Sequence, residues 1–187
     1  MNAPSLKAEL HRSLRAARQA LLSRLDGLGE YDLRRPMTPT GTNLLGLVKH
    51  LADLEYIYLG ASFGRTLAPW EDSDPKAEMW AAAGESSECI IGLYQRACAH
   101  ADLTISQLEV DAPGAVAHWA DDDRQTTLGA MLIYMVWETA QHAGHADIIR
   151  ELIDGTAGAD DYELLTDAGR QAYVAQIQAA ADTFRTP

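Results

Sequence analysis

In four stretches of the chain the apolar residues recur every three or four positions, and nowhere do they alternate over a convincing length. A period near 3.6 lines such residues along one stripe of a helix, whereas a half-buried strand needs a period of two. The expected fold class is therefore all-α. Leu6, Leu10, Leu14, Ala17, Leu21, Leu25 and Leu28 make the first stripe, with Arg12, Arg15 and Arg24 off it and Gly29 as its stop. Asn43 caps a second helix through Leu44, Leu47, Val48, Leu51, Leu54 and Tyr58, ending near Gly60 to Gly64. Ser87 or a neighbour opens a third, which carries Ile90, Ile91, Leu93, Tyr94, Cys98 and Leu103 and is broken by Asp111, Pro113 and Gly114. Thr126 or Thr127 caps a fourth that runs to about Asp154 and stops at Gly155 and Gly158.

A chain of 187 residues, 47% hydrophobic, is enough for one core, so residues 1–187 read as a single domain. The economical architecture is a four-helix bundle over about residues 5–155 with an extra C-terminal helix at about 161–184. The acidic residues of that last helix lie near its start, where the helix dipole favours them, so it is expected to supply packing and no ligands. Between the second and third helices Pro69, Asp72, Asp74 and Pro75 mark a connection long enough for a crossover.

The net charge of −12 argues against nucleic acid and anionic membranes as partners, because both recognise clustered Lys and Arg. The first fifty residues run the other way, at +4. The N-terminal residues lack the apolar core of a signal peptide, and the longest apolar run, Leu128 to Trp137, is half what a bilayer needs, so a cytoplasmic protein is expected. Cys89 and Cys98, nine residues apart on one helix, lie about 13 Å apart, too far to bridge. They are expected to be free, buried thiols. Neither a Gly-rich phosphate loop nor a Gly-x-Ser-x-Gly elbow is present.

The fourth stripe breaks its own pattern. It runs Leu128, Met131, Leu132, Met135, then Glu138, His142 and His145, then Ile149 and Leu152. A carboxylate carried into a bundle must be neutralised, paired or metal-bound. Glu138 and His142 are spaced i, i+4, about 6 Å apart on one face, which suits a shared cation or a simple salt bridge. A metal needs a third ligand from another helix, and His50 of the second helix, beside Leu47, Leu54 and Ile57, qualifies; alone it reads equally as a core histidine. His145 reads as a supporting partner, an additional ligand or a satisfied core histidine. His11, His100 and His118 have no partner at ligand spacing.

Residues 44–54 (LLGLVKHLADL) and 136–152 (VWETAQHAGHADIIREL) resemble the DinB/YfiT-like superfamily, which includes thiol-dependent S-transferases and the mycothiol-dependent maleylpyruvate isomerase. The resemblance covers the first through fourth helices. It implies a four-helix bundle of up-down-down-up topology, often dimeric, holding a divalent metal through His50, Glu138 and His142. Many relatives have His where Glu138 stands, whereas the mycothiol-dependent isomerase branch shares the Glu, and Ala143 replaces an Arg common after the second ligand. Zinc or nickel is the foremost metal, with a low-molecular-weight thiol such as mycothiol as possible second cofactor and a small electrophile as partner. The use of three Lys against twelve Arg suits a GC-rich, mycothiol-making source. The expected function is thus a metal-dependent thiol S-transferase or isomerase, its catalytic residues unassigned. Tyr56, Tyr58, Trp70, Tyr134 and Trp137 are candidate pocket walls. The alternative is a non-catalytic, metal-stabilised bundle in stress response or ligand sensing, dimeric through Ile133, Tyr134 and Trp137.

Overall fold

The computed structural model describes residues 4–67, 79–156 and 166–185, and among these it is mostly helical. The helices are α1 (Leu6–Ser23), α2 (Glu30–Arg34), α3 (Leu44–Leu59), α4 (Ser87–Gln107), α5 (Leu128–Asp154) and α6 (Asp167–Asp182); a 3-10 turn spans Ala61–Phe63. Five of them start on a side-chain cap: Ser5, Asn43, Ser86, Thr127 and Thr166 each accept a hydrogen bond from the N–H three residues on. Such a cap satisfies an amide that the helix itself leaves unpaired. Gly155, at φ 77°, ends α5 in the left-handed conformation that a side chain resists. The sequence-derived starts of the second, third and fourth helices and the ends of the second and fourth therefore land within a residue or two of the observed ones, whereas the third stops at Gln107, four residues before Asp111.

Three differences have local causes. The first helix stops at Ser23, and Leu25 and Leu28 fall in the turns that follow it, where Gly27 has φ 76°. The short helix α2 holds too few residues for a periodic signal. An antiparallel hairpin, β1 (Pro113–Ala115) with β2 (Gln125–Thr127), is likewise too short to show alternation. It carries residues 116–124 out to form a loop holding His118 and Trp119.

The central helix is α3, with twelve of its sixteen residues buried. It packs on α4 and on α5, and α5 packs in turn on α1. The core has two halves. One gathers Leu21, Leu47, Leu51, Ile90, Tyr94 and Ile149; the other gathers Leu14, Leu59, Ile105, Leu128, Leu132 and Met135. Between them lies a polar layer. Arg18 of α1 grips Glu55 of α3 through two 2.6 Å hydrogen bonds and donates a third, also 2.6 Å, to Asp102 of α4. Burial pulls the Arg18 pKa down, but the Glu55 and Asp102 carboxylates more than offset that and hold it above its usual value. A bidentate, fully hydrogen-bonded pair of this kind is the form in which buried charge is tolerated.

Gly46 marks a close approach at the start of α3. A Cβ there would stand 2.0 Å from the Met79 carbonyl oxygen, which also accepts a 3.2 Å hydrogen bond from the Asn43 carboxamide. The chain entering α4 is thereby seated on the first turn of α3.

Two sequence expectations are corrected. The described part of the C-terminal helix, α6, buries none of its residues, so its expected packing role is not seen; residues 161–165 lie outside the described ones. Cys89 is exposed and Cys98 half-buried rather than both being buried, although both thiols are free. Among the described residues no helix is long and apolar enough to cross a membrane.

Candidate metal centre

Only four positions of α3 escape full burial: Lys49, His50, Leu54 and Ile57. Lys49 turns to Glu85 at 2.8 Å, while His50 faces α5. On α5 the buried stripe runs Leu128, Met131, Leu132, Met135, Thr139, Ala143, Ala146 and Ile149. Glu138 and His142 therefore flank the core stripe instead of interrupting it, and His145 and Leu152 point outward. The core face of α5 narrows to Thr139, Ala143 and Ala146 at this level, so the longer side chains beside them reach across to α3.

The three side chains converge. His50 Nε2 and His142 Nε2 lie 3.5 and 3.3 Å from the same oxygen, Oε1 of Glu138. The two imidazole rings meet edge to face with centroids 5.0 Å apart. One ligand atom from each of His50, Glu138 and His142 falls within 4.8 Å of the other two, a geometry able to hold a metal ion. All three side chains are 12 to 23% exposed, sheltered yet reachable. Burial pushes the His142 pKa down, and the nearby His50 adds to that, against the opposing pull of Glu138. A neutral imidazole with a free lone pair is the form that ligates metal.

A family model of mycothiol S-transferases matches residues 9–155, which contain every helix from α1 to α5 save three residues at the start. The chain belongs to the mycothiol S-transferase family. This lies within the DinB/YfiT-like grouping that its motifs resemble. Among solved structures it is similar to a conserved protein from Enterococcus faecalis, at 15% identity and a TM-score of 0.61, covering 82% of this chain and 100% of that one. That likeness bears on the fold alone. No curated protein matches the chain in sequence.

In this mycothiol S-transferase family member His145 stands apart from the convergent three. Its Nδ1 lies 3.3 Å from Nδ1 of His142, the ring nitrogen away from Glu138. The other histidines are engaged elsewhere: His11 with Asp102 at 2.9 Å, His100 with the Arg65 carbonyl at 3.2 Å and His118 with the Tyr58 hydroxyl at 3.3 Å. Of the candidate pocket walls, Tyr58 and Tyr134 pack together at 4.7 Å, with Trp119 and His118 completing the cluster. Trp137 leans on Tyr134 at 5.9 Å and is otherwise exposed; Tyr56 is buried against His100 on another side of α3. Trp70 lies outside the described residues. Sequence reading missed Trp119 in this cluster, because the hairpin that delivers it has no periodic signature. It also missed the buried Arg18 and Glu55, although Leu14, Arg18, Leu21 and Leu25 step at helical spacing.

Proposed function

We propose that this protein binds one divalent metal through His50, Glu138 and His142 and transfers a low-molecular-weight thiol of the mycothiol type to a small electrophile. The observation that carries the reading is the convergence of two imidazole nitrogens on one carboxylate oxygen. The donor set fits the group: two neutral imidazoles and one carboxylate leave a divalent ion with a net +1 and an open position, and they suit zinc or nickel. Such an ion, when bound, supplies the Lewis acidity that makes a thiol ionise near neutral pH. The residues of the chain do the rest. His142 is kept neutral by its burial, and Glu138 brings the one negative charge between the two rings. His145 supports this arrangement by contacting the far nitrogen of His142, which orients the ring. The free thiols Cys89 and Cys98 fit a reducing, cytoplasmic compartment, and the transferred sulfur comes from the small thiol.

A homodimer belongs to the same reading. Ile133 and Trp137, one turn apart on α5, stand 57% and 58% exposed, an apolar face that α6 leaves uncovered.

The test is the metal content of the purified protein followed by thiol transfer to monochlorobimane with mycothiol, bacillithiol and glutathione. Stoichiometric metal and turnover with mycothiol are expected. Metal without turnover with any of the three would favour the non-catalytic, metal-stabilised bundle, and a protein that takes up no metal would end the proposal.

A further inference from the structure

The three convergent side chains form one rung of a longer contact between α3 and α5. His50 meets Glu138 and His142, and eight residues further along α3 Tyr58 meets Tyr134, one turn before Glu138 on α5, with ring centroids 4.7 Å apart. The two helices therefore run in opposite directions, and the rungs stand about 12 Å apart along α3. Apart from Lys49, the α3 residues that escape full burial are His50, Leu54 and Ile57, which lie within about 60° of one another around the helix. Tyr134, Glu138 and His142 make the matching row on α5, at i, i+4 and i+8, and all three are half-buried. A partly open strip thus leaves the three ligands between two helices, polar at His50 and apolar from Leu54 on.

Trp119 stands at the far end of this strip. It is half-buried, with its ring 5.8 Å from that of Tyr58 and 6.2 Å from that of Tyr134. The loop that carries it is anchored on the bundle: the fully buried Val116 accepts a 3.2 Å hydrogen bond from the Trp119 amide, and His118 Nε2 lies 3.3 Å from the Tyr58 hydroxyl. Burial and a hydrogen bond with Tyr58 push the Tyr134 phenol pKa up, so that ring stays uncharged. Partly exposed rings beside a reactive centre favour contact with another planar ring, and apolar walls meeting a few polar groups are the usual make-up of a small-molecule site. The rim selects against negative charge. Asp121, Asp122 and Asp123 of the same loop are all exposed, and Arg124 offsets only Asp121, through a 2.9 Å ion pair.

We propose that the electrophile is an uncharged, planar aromatic molecule, held against Leu54, Tyr134 and Trp119 with its reactive carbon toward His50 and Glu138. The assignment rests on the thiol-transfer reading above and names its substrate class. For a chloromethyl-substituted ring, the thiolate sulfur forms the new C–S bond, chloride leaves with the C–Cl electron pair, and the thiol proton passes to solvent.

Three electrophiles test it with mycothiol: monochlorobimane, which is aromatic and uncharged, iodoacetamide, which is small and uncharged, and iodoacetate, which is small and anionic. With kcat/KM divided by the uncatalysed rate, monochlorobimane is expected to lead both others by about tenfold or more. Trp119→Ala, which removes a wall, and Leu54→Asp, which charges one, should each lower the ratio of monochlorobimane to iodoacetamide by about tenfold or more, with metal content and the KM for mycothiol retained. A purely structural role would move both electrophiles alike. Tetramethylbimane, which has the same ring and no leaving group, reads the site without turnover: its fluorescence titration should saturate and weaken by about tenfold in both variants. Circular dichroism and Tm establish that each variant is folded. An unchanged ratio in the folded variants, or equal binding of tetramethylbimane by them, would overturn the assignment. Absence of turnover with all three electrophiles, while tetramethylbimane still binds and is weakened in the variants, would sink the transfer reaction and uphold the aromatic site.

Discussion

His142 is the residue on which the proposed metal centre turns, since one ring nitrogen faces Glu138 and the other faces His145. His142→Ala is expected to abolish metal retention, whereas His145→Ala should weaken it by ~10 to 100-fold, the usual cost of losing a group that orients a ligand. Metal analysis after dialysis against a weak chelator separates the two, and equal loss would make His145 a ligand. The pH dependence of the metal-free protein follows from the same side chain. A lowered folded pKa means that, between it and the unfolded value of about 6.5, the unfolded chain holds more protons. The contribution of His142 to stability is thus fully present above about pH 6.5 and is lost as pH falls through the folded pKa. Urea midpoints at pH 7.5 and 5.5 should differ less in His142→Gln than in the unchanged metal-free protein. Arg18 and Glu55 carry a separate prediction. Glu55→Ala leaves a buried guanidinium short of its main partner and should cost about 3–5 kcal/mol, while the double replacement Arg18→Met with Glu55→Met should recover much of that. Denaturant melts of both variants check it.

At the scale of the helices, α5 explains why the site residues were legible and their setting was not. Glu138 and His142 were visible because charge at helical spacing contradicts an apolar stripe. The stripe itself was read through them, as if His145 and Leu152 faced inward; in the fold both are exposed, and Thr139, Ala143 and Ala146 occupy the core face. Small residues carry little hydrophobic signal, yet next to a helix buried on nearly all sides they are what fits. Ala146→Leu should therefore overpack the contact of α5 with its neighbours, cost about 1–3 kcal/mol and loosen the grip of Glu138 and His142 on metal. Thermal melts with parallel metal titrations read both effects, and an unchanged metal affinity would show that the site tolerates displacement of α5. The short α2 and the three-residue strands lay below what any periodic pattern can reveal.

For the whole molecule, the described part of α6 buries no residue and a lone helix of sixteen residues is marginal in water. A chain ending at Gly158 should then shift Tm by less than about 2 °C, corresponding to well under 1 kcal/mol, and keep its metal stoichiometry. Loss of metal from the folded truncation would implicate the C-terminal residues in the site. The outer face of α5, with Ile133 and Trp137, is the surface expected to join two copies; Trp137→Glu should convert a dimer seen by light scattering into a monomer.

What the sequence alone determined was local. Caps at Asn43 and Thr127, the stop at Gly155 and the i, i+4 pairing of Glu138 with His142 act within a turn or two of chain, so they are written in neighbouring residues. Tertiary structure decided what depends on which helices adjoin. It placed His50 across from Glu138, aimed Arg18 at Glu55, thirty-seven residues away, and tied α1 to α4 through Asp102, which takes hydrogen bonds from both Arg18 and His11. Side chains from distant segments have no common period, and their meeting is settled only when burial of the strongest apolar stripes fixes how the helices pack.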